Sequence, residues 1–490
     1  MPHPIVEIDE LVRLVVDYLV EISPRSVVSF ALTCRSLEEP TLSSLWRRQY
    51  LLIPLLRVLP QFTKKGRGYV VSGCNSPLGF TPYRFSQMVD NPRPKEWDRF
   101  QRFASWMRYL SLDSRVHDIA LQRLSNESPG GLLCPNLERL DWEIRTAHTP
   151  RSFHIFLSPS LKRVSLFVPE QLQYAGEIVS RLPSSLEHFS LTCSPRKDGE
   201  PLKDLMSSFV LRCGPSLRSF GCRPPLSEAA FHYLMQLPNL RSWIAFQPPQ
   251  AFPPPTFPSL EELHLEPTAL PWLHLLAACG QGKRSLAPAS TIMNTNVKET
   301  LKVLTCPRKT AVDPTLLSSM SSFRNLVSIV VLNRSCHSNC LFDLTDNDVE
   351  DLAAGLPSLV DLRLGEACGS ATCRTTVSSL LLISTRCLEL KFLEIHFNTH
   401  HIVGDMERLL NEGTGHGKPR CKLQRLSVGY LLLQVPEFAN ETLAVGFADI
   451  FPCLEVFSSR RGGEAWRRVG AKLQNRLTRG LQPFLHSTAH

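Results

Sequence analysis

Four cysteines in the second half of the chain have the clearest potential for metal chemistry. Cys336 and Cys340 lie just past one predicted strand, and Cys368 and Cys373 lie just past the next. Equivalent positions beyond neighbouring strands are close in space, so a tetrahedral zinc site is geometrically conceivable. The spacings match no common zinc module, however, and buried thiols after strands are common in repeat proteins. We therefore expect no bound metal.

Motifs for catalysis or phosphate binding are weaker still. The segment GTGHGKP at 413–419 lacks the Gly-x4-Gly-Lys-Ser/Thr spacing of a phosphate loop, and Pro419 follows its lysine, which favours a solvated turn. His396, His400 and His401 follow or end a predicted strand and are expected to form a polar surface cluster. The sequence contains no nucleophile elbow, zinc-protease helix or dinucleotide fingerprint, so we expect neither catalysis nor a cofactor.

The bulk composition is that of an ordinary globular protein with more than one domain. Of 490 residues, 43% are hydrophobic and 20% are charged, and no apolar run approaches the roughly 20 residues of a membrane span. Fifteen scattered cysteines suit buried reduced thiols better than a disulfide framework, and the acidic N-terminus does not resemble a signal peptide. We therefore expect a cytoplasmic or nuclear protein that does not enter a membrane.

The positive charge is concentrated near the C-terminus. Residues 460–480 carry seven bases against Glu464 alone, which is +6 of the net charge of +9. A helix there would place bases on one face and apolar residues on the other. The apolar residues are Trp466, Val469, Leu473, Leu477 and Leu481. This pattern favours a helix that caps the fold, with contact to an acidic partner, nucleic acid or a membrane surface as the alternative.

A short apolar pattern recurs along most of the chain. It has an apolar residue, two variable residues, an apolar residue, one variable residue and a last apolar residue, as in LVDLRL from Leu359. Twelve copies follow a degenerate first copy at Met107, and all intervals but one are 20 to 33 residues. The copies begin at Leu137, Leu161, Leu186, Leu217, Leu240, Leu260, Leu301, Leu326, Leu359, Leu390, Leu423 and Leu454. The final alternation predicts a short strand in each copy.

Helix-like stretches such as TDNDVEDLAAGL separate these predicted strands. One strand and one helix cannot bury their own apolar face, whereas stacked repeats share one continuous core. The spacing therefore predicts an α/β solenoid, a leucine-rich-repeat horseshoe with a parallel sheet, over residues 106–460. The basic helix or tail follows at 461–490. A proline-rich extended connection is expected at 246–258 and an exposed loop at 280–296.

The first 60 residues show helical rather than strand periodicity. A first helix is marked by an apolar face formed by Ile8, Leu11, Val12, Val15 and Leu19. Ser23 and Pro24 supply the cap and first position of a second helix, which should end near Glu39–Pro40. A third helix is expected over 41–50, and a connecting segment over 61–105.

The segment from Ser26 to Trp46 resembles the second half of an F-box, in the form common in mushroom-forming fungi. The matching residues are Ala31, Leu32, Cys34, Arg35, Ser36, Pro40, Leu45 and Trp46. IDELV at 8–12 is similar to the Leu-Pro-x-x-Leu start of that motif, with Asp9 where the family often has Pro. Leu37 stands where the family usually has Trp, which implies weaker adaptor binding than is typical.

The resemblance implies an all-α three-helix F-box at residues 1–60 that binds the Skp-type adaptor of a cullin-based ubiquitin ligase. The repeats would hold an unknown protein substrate near the ubiquitin-conjugating enzyme, so the chain would act by proximity without catalysis of its own. Leu45 and Trp46 are expected to anchor the adaptor. The residues that support this contact or the fold are Ile8, Leu11, Val12, Val27, Val28 and Leu32.

The outward-facing strand positions form the predicted substrate surface, because alternate side chains leave opposite faces of a strand. They are Arg139, Asp141, Arg163, Phe167, Glu262, His264, Glu266, Asp361, Arg363, Glu394, His396 and Arg425. Such mixed charge suits a polar protein segment better than a lipid or an apolar cofactor. The alternative is a scaffold outside ubiquitination, or a repeat protein that binds nucleic acid or an acidic ligand through its basic tail. The sequence shows no basic module with interleaved aromatics, which disfavours nucleic acid.

Overall fold

The computed structural model describes residues 9–59, 93–113, 118–127, 131–144, 149–168, 172–193, 200–245, 257–265, 273, 296–306, 314–331, 344–364, 374–398, 401–411, 421–428, 439–459 and 464–486. The chain divides into two compact units, Met1–Tyr233 and Leu234–His490. Several residues singled out above lie outside the described ranges: Ile8, Glu266, Cys336, Cys340, Cys368, Cys373 and His400. The segment 413–419, the loop at 280–295 and most of the proline-rich connection also lie outside them.

Helices occupy the N-terminus and then alternate with strands. They are α1 (Asp9–Ile22), α2 (Pro24–Ala31), α3 (Arg35–Arg47), α4 (Ile53–Leu56), α5 (Pro94–Trp106), α6 (Asp118–Glu127), α7 (Leu172–Arg181), α8 (Glu200–Cys213), α9 (Glu228–Gln236), α10 (Asn296–Thr300), α11 (Pro314–Ser321), α12 (Asp346–Gly355), α13 (Ser378–Arg386), α14 (Ile402–Asn411), α15 (Ala439–Ile450) and α16 (Glu464–His486). Short 3-10 helices span Thr149–Phe156 and Gly214–Ser216.

The strands are short and all parallel to their neighbours. The first unit holds β1 (Arg48–Gln49), β2 (Tyr109–Asp113), β3 (Arg139–Glu143), β4 (Arg163–Val168), β5 (His188–Cys193) and β6 (Ser219–Cys222). The second holds β7 (Ser242–Ala245), β8 (Glu262–Leu265), β9 (Val303–Cys306), β10 (Ser328–Val331), β11 (Asp361–Leu364), β12 (Phe392–Ile395), β13 (Arg425–Val428) and β14 (Val456–Ser459). Within each unit, and across the residues that the structure describes, the order of the strands in the sheet follows the chain, from β1 to β6 in the first unit and from β7 to β14 in the second.

The strand register matches the repeat position by position. Leu362 pairs with Leu393, and Leu393 pairs with Leu426, so equivalent apolar residues stack from one strand to the next. The opening leucine of all twelve copies, from Leu137 to Leu454, is buried. This confirms the predicted parallel sheet with helices, an open α/β arrangement that is compatible with a solenoid.

Polar contacts also link consecutive repeats in the second unit. Thr345 caps α12, where its hydroxyl accepts from the Asp348 amide and its own amide donates to the Asp348 carboxylate at 2.7 Å. Asp346, in the first turn of the same helix, accepts hydrogen bonds from the amide and hydroxyl of Thr376, both at 2.7 Å, and from the Ser379 hydroxyl. The start of α12 is therefore tied to the start of α13.

The helix boundaries near the N-terminus differ from the sequence prediction. The second helix ends at Ala31 rather than near Glu39–Pro40, and α3 begins at Arg35 and includes Pro40. A proline this close to a helix start removes one intrahelical hydrogen bond. Leu37 and Thr41 are buried on either side of it, and α3 packs against both α1 and α2. Tertiary packing therefore carries the helix through the proline.

The predicted third helix is also too long at its C-terminal end. It stops at Arg47, and Arg48–Gln49 form β1, which pairs with Tyr109–Leu110 of β2. Gln49 donates through its side chain to the Leu45 carbonyl at 2.8 Å, which satisfies one of the last carbonyls of α3. The N-terminal helices and the first repeats consequently share one compact unit.

Helix α16 packs its apolar face onto the end of the second unit. Trp466, Val469 and Leu473 are buried, and Leu477 is half-buried. The Trp466 ring stacks on Phe457 of β14 with ring centroids 6.0 Å apart, and α16 makes further contacts with α15. This is the geometry of a helix that covers the last repeat. The side chain of Leu481 lies outside the described residues.

Candidate functional site

An exposed apolar stripe follows the length of α1. Leu11, Leu14, Val15, Tyr18 and Ile22 recur at helical spacing, and each leaves at least 40% of its surface in water. Leu14 is 67% exposed and Tyr18 is 66% exposed. Apolar residues gathered in this way, rather than scattered singly, are typical of interaction surfaces.

Two more exposed apolar residues belong to α2 and the position after it, and they are counted with the stripe below. Leu32 directly follows this helix and is 80% exposed, and Val28 is also exposed. Leu11, Val28 and Leu32 were predicted from the sequence, whereas Leu14, Tyr18 and Ile22 were not. Their spacing from Leu11 (three, seven and eleven positions) was a detectable signal, because such residues share one side of a helix.

The other apolar side of α1 forms the core of the N-terminal helices. Val12, Val16, Val27 and Leu37 are buried together, and Leu45 packs against them while partly buried. Val12 and Val27, which were expected to support either the fold or the adaptor contact, thus contribute to the fold.

Trp46 faces the connecting helix α5. It is half-buried, and its ring stacks on Phe103 with centroids 4.8 Å apart and an interplanar angle of 27°. Such a pair contributes about 0.5–1.5 kcal/mol beyond the burial of its area. This geometry gives Trp46 a packing role within the first unit, and its adaptor contact stays a prediction.

An open cleft of about 710 Å³ lies where strands β1 to β5 begin in the first unit. Two acids, Glu138 and Glu187, line it beside a larger number of bases. The bases are Arg47, Arg48, Arg108, Arg139, Lys162 and Arg163. Only Arg139 and Arg163 had been identified from the sequence. The others lie at the end of α3, in β1 and just before β2 and β4, which are positions that strand alternation does not identify.

A hydrogen-bonded cluster occupies the middle of this cleft and its rim. The Arg139 guanidinium lies 4.9 Å from the Tyr109 ring centroid and donates two hydrogen bonds to Asp141, at 2.9 and 3.3 Å. The Tyr109 hydroxyl also donates to Asp141, at 2.9 Å. Burial, with help from the Asp141 carboxylate, raises the pKa of Tyr109 to about 12. Tyr109 is therefore a fixed donor, and Asp141 is held by two partners.

The positions predicted in the second unit contain a less accessible group of charges. Asp361 accepts two hydrogen bonds from Arg363, both at 2.9 Å, and Arg363 lies opposite Glu394 on the neighbouring strand. Glu394 is 8% exposed and His396 is 4% exposed. Burial raises the pKa of Glu394, opposed by Arg363, and lowers the pKa of His396 to about 4.

The expectation that Glu394 and His396 face solvent is therefore wrong. Strand alternation decides from which face of the sheet a side chain leaves, and it does not decide what lies over that face. The polar surface cluster expected around His396 fails for the same reason. His401, by contrast, is exposed.

The remaining predicted positions are accessible but do not gather into one site. In the second unit, Glu262 and Arg425 are exposed, and His264 is half-buried with a pKa lowered chiefly by burial. The Arg425 guanidinium lies 5.5 Å from the Phe392 ring centroid. In the first unit, Phe167 is 41% exposed near the end of β4. None of these residues lines the cleft described above.

The described residues contain no cluster of three or more side chains suited to holding a metal ion. Nine cysteines within them are free thiols, and seven of the nine are buried, as their apolar surroundings predicted. In that same part of the chain, no helix is both long enough and apolar enough to cross a membrane.

Comparison with known proteins assigns no family. No protein-family model matches the chain, and no curated protein matches its sequence.

Proposed function

We propose that this chain is the substrate-recognition subunit of a cullin-based ubiquitin ligase. Its N-terminal helices would act as an F-box that binds a Skp-type adaptor, and its repeats would act as a leucine-rich-repeat horseshoe that holds a protein substrate. Such a protein works in the cytoplasm or nucleus and catalyses nothing itself. It raises the local concentration of an acceptor lysine near the conjugating enzyme.

The observation that carries this proposal is the exposed apolar stripe on α1 and α2. Apolar surface that stays in water is unfavourable. A partner that buries this surface would gain about 25 cal/mol of binding free energy for each Å² covered. A helical adaptor groove is a partner of suitable chemistry, because it can bury residues three, four and seven positions apart. The motif around Cys34, Arg35 and Ser36, where α3 begins, resembles the same family and supports this partner.

The placement of Trp46 refines this proposal. Its stacking on Phe103 suits a residue that fixes the helices against the first repeats. We therefore assign the main adaptor contact to Leu14, Tyr18 and Leu32, and Trp46 contributes by holding the orientation of the module. The packing of the N-terminal helices and early repeats into one unit suits a ligase subunit that must present its substrate in a defined position.

The decisive experiment is co-purification of a Skp-type adaptor with the full chain and with two surface variants. Leu14→Asp and Leu32→Asp should each weaken adaptor capture at least about tenfold, because a charge would have to be buried at the contact. Leu211→Asp is the matched control, since Leu211 on α8 is 50% exposed and lies outside the stripe.

Thermal unfolding of all three variants should match that of the parent chain, because none of the changed residues is buried. Undiminished adaptor capture by both stripe variants would contradict the proposal. Equal loss in the Leu211→Asp control would attribute the effect to general insolubility rather than to a specific surface.

A further inference from the structure

We propose that the cleft at the beginnings of β1 to β5 binds an extended acidic polypeptide segment. One carboxylate would meet Arg47 and Arg48, and a second would meet Arg163. As a substrate segment it rests on the proposed function, but its binding to this chain requires no adaptor.

The charges of the cleft divide into paired and unpaired groups. Arg108 lies 3.5 Å from Glu138, and Lys162 lies 3.4 Å from Glu187, so these bases are already neutralised. Arg139 is held by Asp141. Arg47, Arg48 and Arg163 have no carboxylate partner among the described residues, and all three are exposed. The surplus positive charge of the cleft therefore resides in three guanidinium groups, Arg47 and Arg48 at its β1 end and Arg163 at β4, which form its two cationic ends.

Adjacent cations of this kind favour an anionic ligand. Arg47 and Arg48 are consecutive and repel each other, and a ligand carboxylate between them would relieve that repulsion. A guanidinium also presents paired N–H donors that match the two oxygens of a carboxylate. The positive electrostatic potential of the cleft reaches β5. Burial lowers the pKa of His188, the first residue of that strand, and the charge of Arg163 lowers it further.

The strand register sets the spacing of the ligand. Arg48 is paired with Tyr109, Tyr109 with Arg139, and Arg139 with Arg163, so the two cationic ends are three strands apart. Neighbouring strands are about 4.8 Å apart, which places these backbone positions about 14 Å apart. An extended polypeptide advances about 3.3 Å per residue, so its two acidic residues should be about four positions apart.

The middle of the cleft explains why the ligand is a polypeptide with neutral residues between its acids. Glu138 lines the cleft, and Asp141 accepts hydrogen bonds from Tyr109 and Arg139, which also line it, so these two carboxylates would repel a third negative charge. A nucleic acid carries a phosphate at every step and would place one over these carboxylates. One face of the Tyr109 ring is covered by Arg139, so that face is closed to a stacked base.

The test is fluorescence anisotropy of labelled peptides with the full chain in the absence of adaptor. The probe carries two glutamates four positions apart in a glycine–serine background, and its control carries the same two glutamates side by side. The spaced peptide should bind at least about fivefold more tightly, because only it can satisfy both ends of the cleft. Its affinity should fall as salt concentration rises.

Charge reversal supplies the second arm of the test. Arg48→Glu and Arg163→Glu should each weaken binding of the spaced peptide about tenfold, because each replaces a charge-assisted contact with repulsion. Lys391→Glu is the matched control. Lys391 is an exposed base at a strand entry in the second unit, outside the cleft, and its reversal should leave the affinity unchanged.

Three results would overturn the proposal. Equal affinities for the spaced and adjacent peptides would remove the spacing argument, and insensitivity to both reversals would remove the site. Tighter binding of a single-stranded oligonucleotide or of a phosphoserine peptide with the same spacing would reject the carboxylate ligand. If the parent chain captures the adaptor but does not bind the spaced peptide, the cleft proposal fails and the proposed ligase function stands.

Discussion

Helices α1 and α16 have similar apolar periodicity and opposite surroundings. The apolar face of α16 is buried, with Trp466, Val469 and Leu473 at most 1% exposed. Helix α1 buries Val12 and Val16 in the module core, and a second apolar stripe that includes Leu14 and Tyr18 stays in water. The apolar surface of α16 is therefore buried within the chain, whereas α1 keeps part of its apolar surface exposed.

The comparison shows that amphipathic patterning identifies an apolar face but not its partner. For α16, the aromatic rings of Phe447 and Phe457 lie within 6.4 Å of the Trp466 ring centroid and close the end of the second unit. For α1, the core needs only one of its two apolar sides. A covered stripe is typical of a structural cap, and an uncovered one is typical of an interaction surface, which we propose to be for another protein.

The largest expected contrast between the two helices is in stability. Leu473→Asp places a charge in the buried contact of α16 and should lower the free energy of unfolding by about 3–5 kcal/mol. Leu14→Asp makes the same chemical change at an exposed site and should cost less than about 0.5 kcal/mol. Urea denaturation followed by circular dichroism measures both. Similar losses in the two variants would show that the stripe on α1 is covered in solution.

A smaller effect is expected at the junction between the N-terminal helices and the repeats. Trp46→Ala removes the stack with Phe103 and should cost about 2 kcal/mol, less than full burial would give because Trp46 is half-buried. Tyr18→Ala should be nearly neutral for stability and should weaken adaptor capture. Thermal unfolding and co-purification separate the two roles. If Trp46→Ala releases the adaptor without any change in stability, Trp46 is an anchor rather than a packing residue.

The smallest effect is expected on the basic face of α16. Arg467 and Arg468 pair with Glu464 at 3.1 and 3.7 Å, and both are exposed. Exposed pairs contribute about 0–1 kcal/mol, so reversing both arginines to glutamate should change stability by no more than about 1 kcal/mol. Differential scanning calorimetry checks this. A lost protein or nucleic-acid partner at unchanged stability would instead make α16 a binding element.

The repeat was accessible from sequence because its signal is local and periodic. Each copy alternates apolar residues over a strand, and the opening leucine is buried in every one of the twelve copies. The N-terminal helix boundaries were not accessible to the same degree. Local rules end a helix before Pro40, whereas the burial of Leu37 and Thr41 against α1 and α2 carries α3 past it. Packing over distance outweighed a local preference there.

The residues of the candidate sites also differ in whether the sequence could identify them. Outward strand positions could be identified by alternation, and Arg139, Asp141 and Arg163 are accessible or partly so. Glu394 and His396 occupy equivalent positions but are buried. The cleft at β1 to β5 was beyond prediction because it needs Arg47 at the end of α3 and Arg48 of β1 beside bases at three later strands. No sequence pattern spans those separations.

The sequence by itself determined the parallel order of strands, the stacking of equivalent leucines and the apolar face of the C-terminal helix. Those properties follow from side-chain periodicity, which acts over a few residues and repeats along the chain. Only the tertiary structure decided which apolar faces are covered, which outward charges are buried and which arginines lack a partner. Burial and pairing depend on neighbours that are distant in sequence, and the physical contacts among them arise only when the chain has folded.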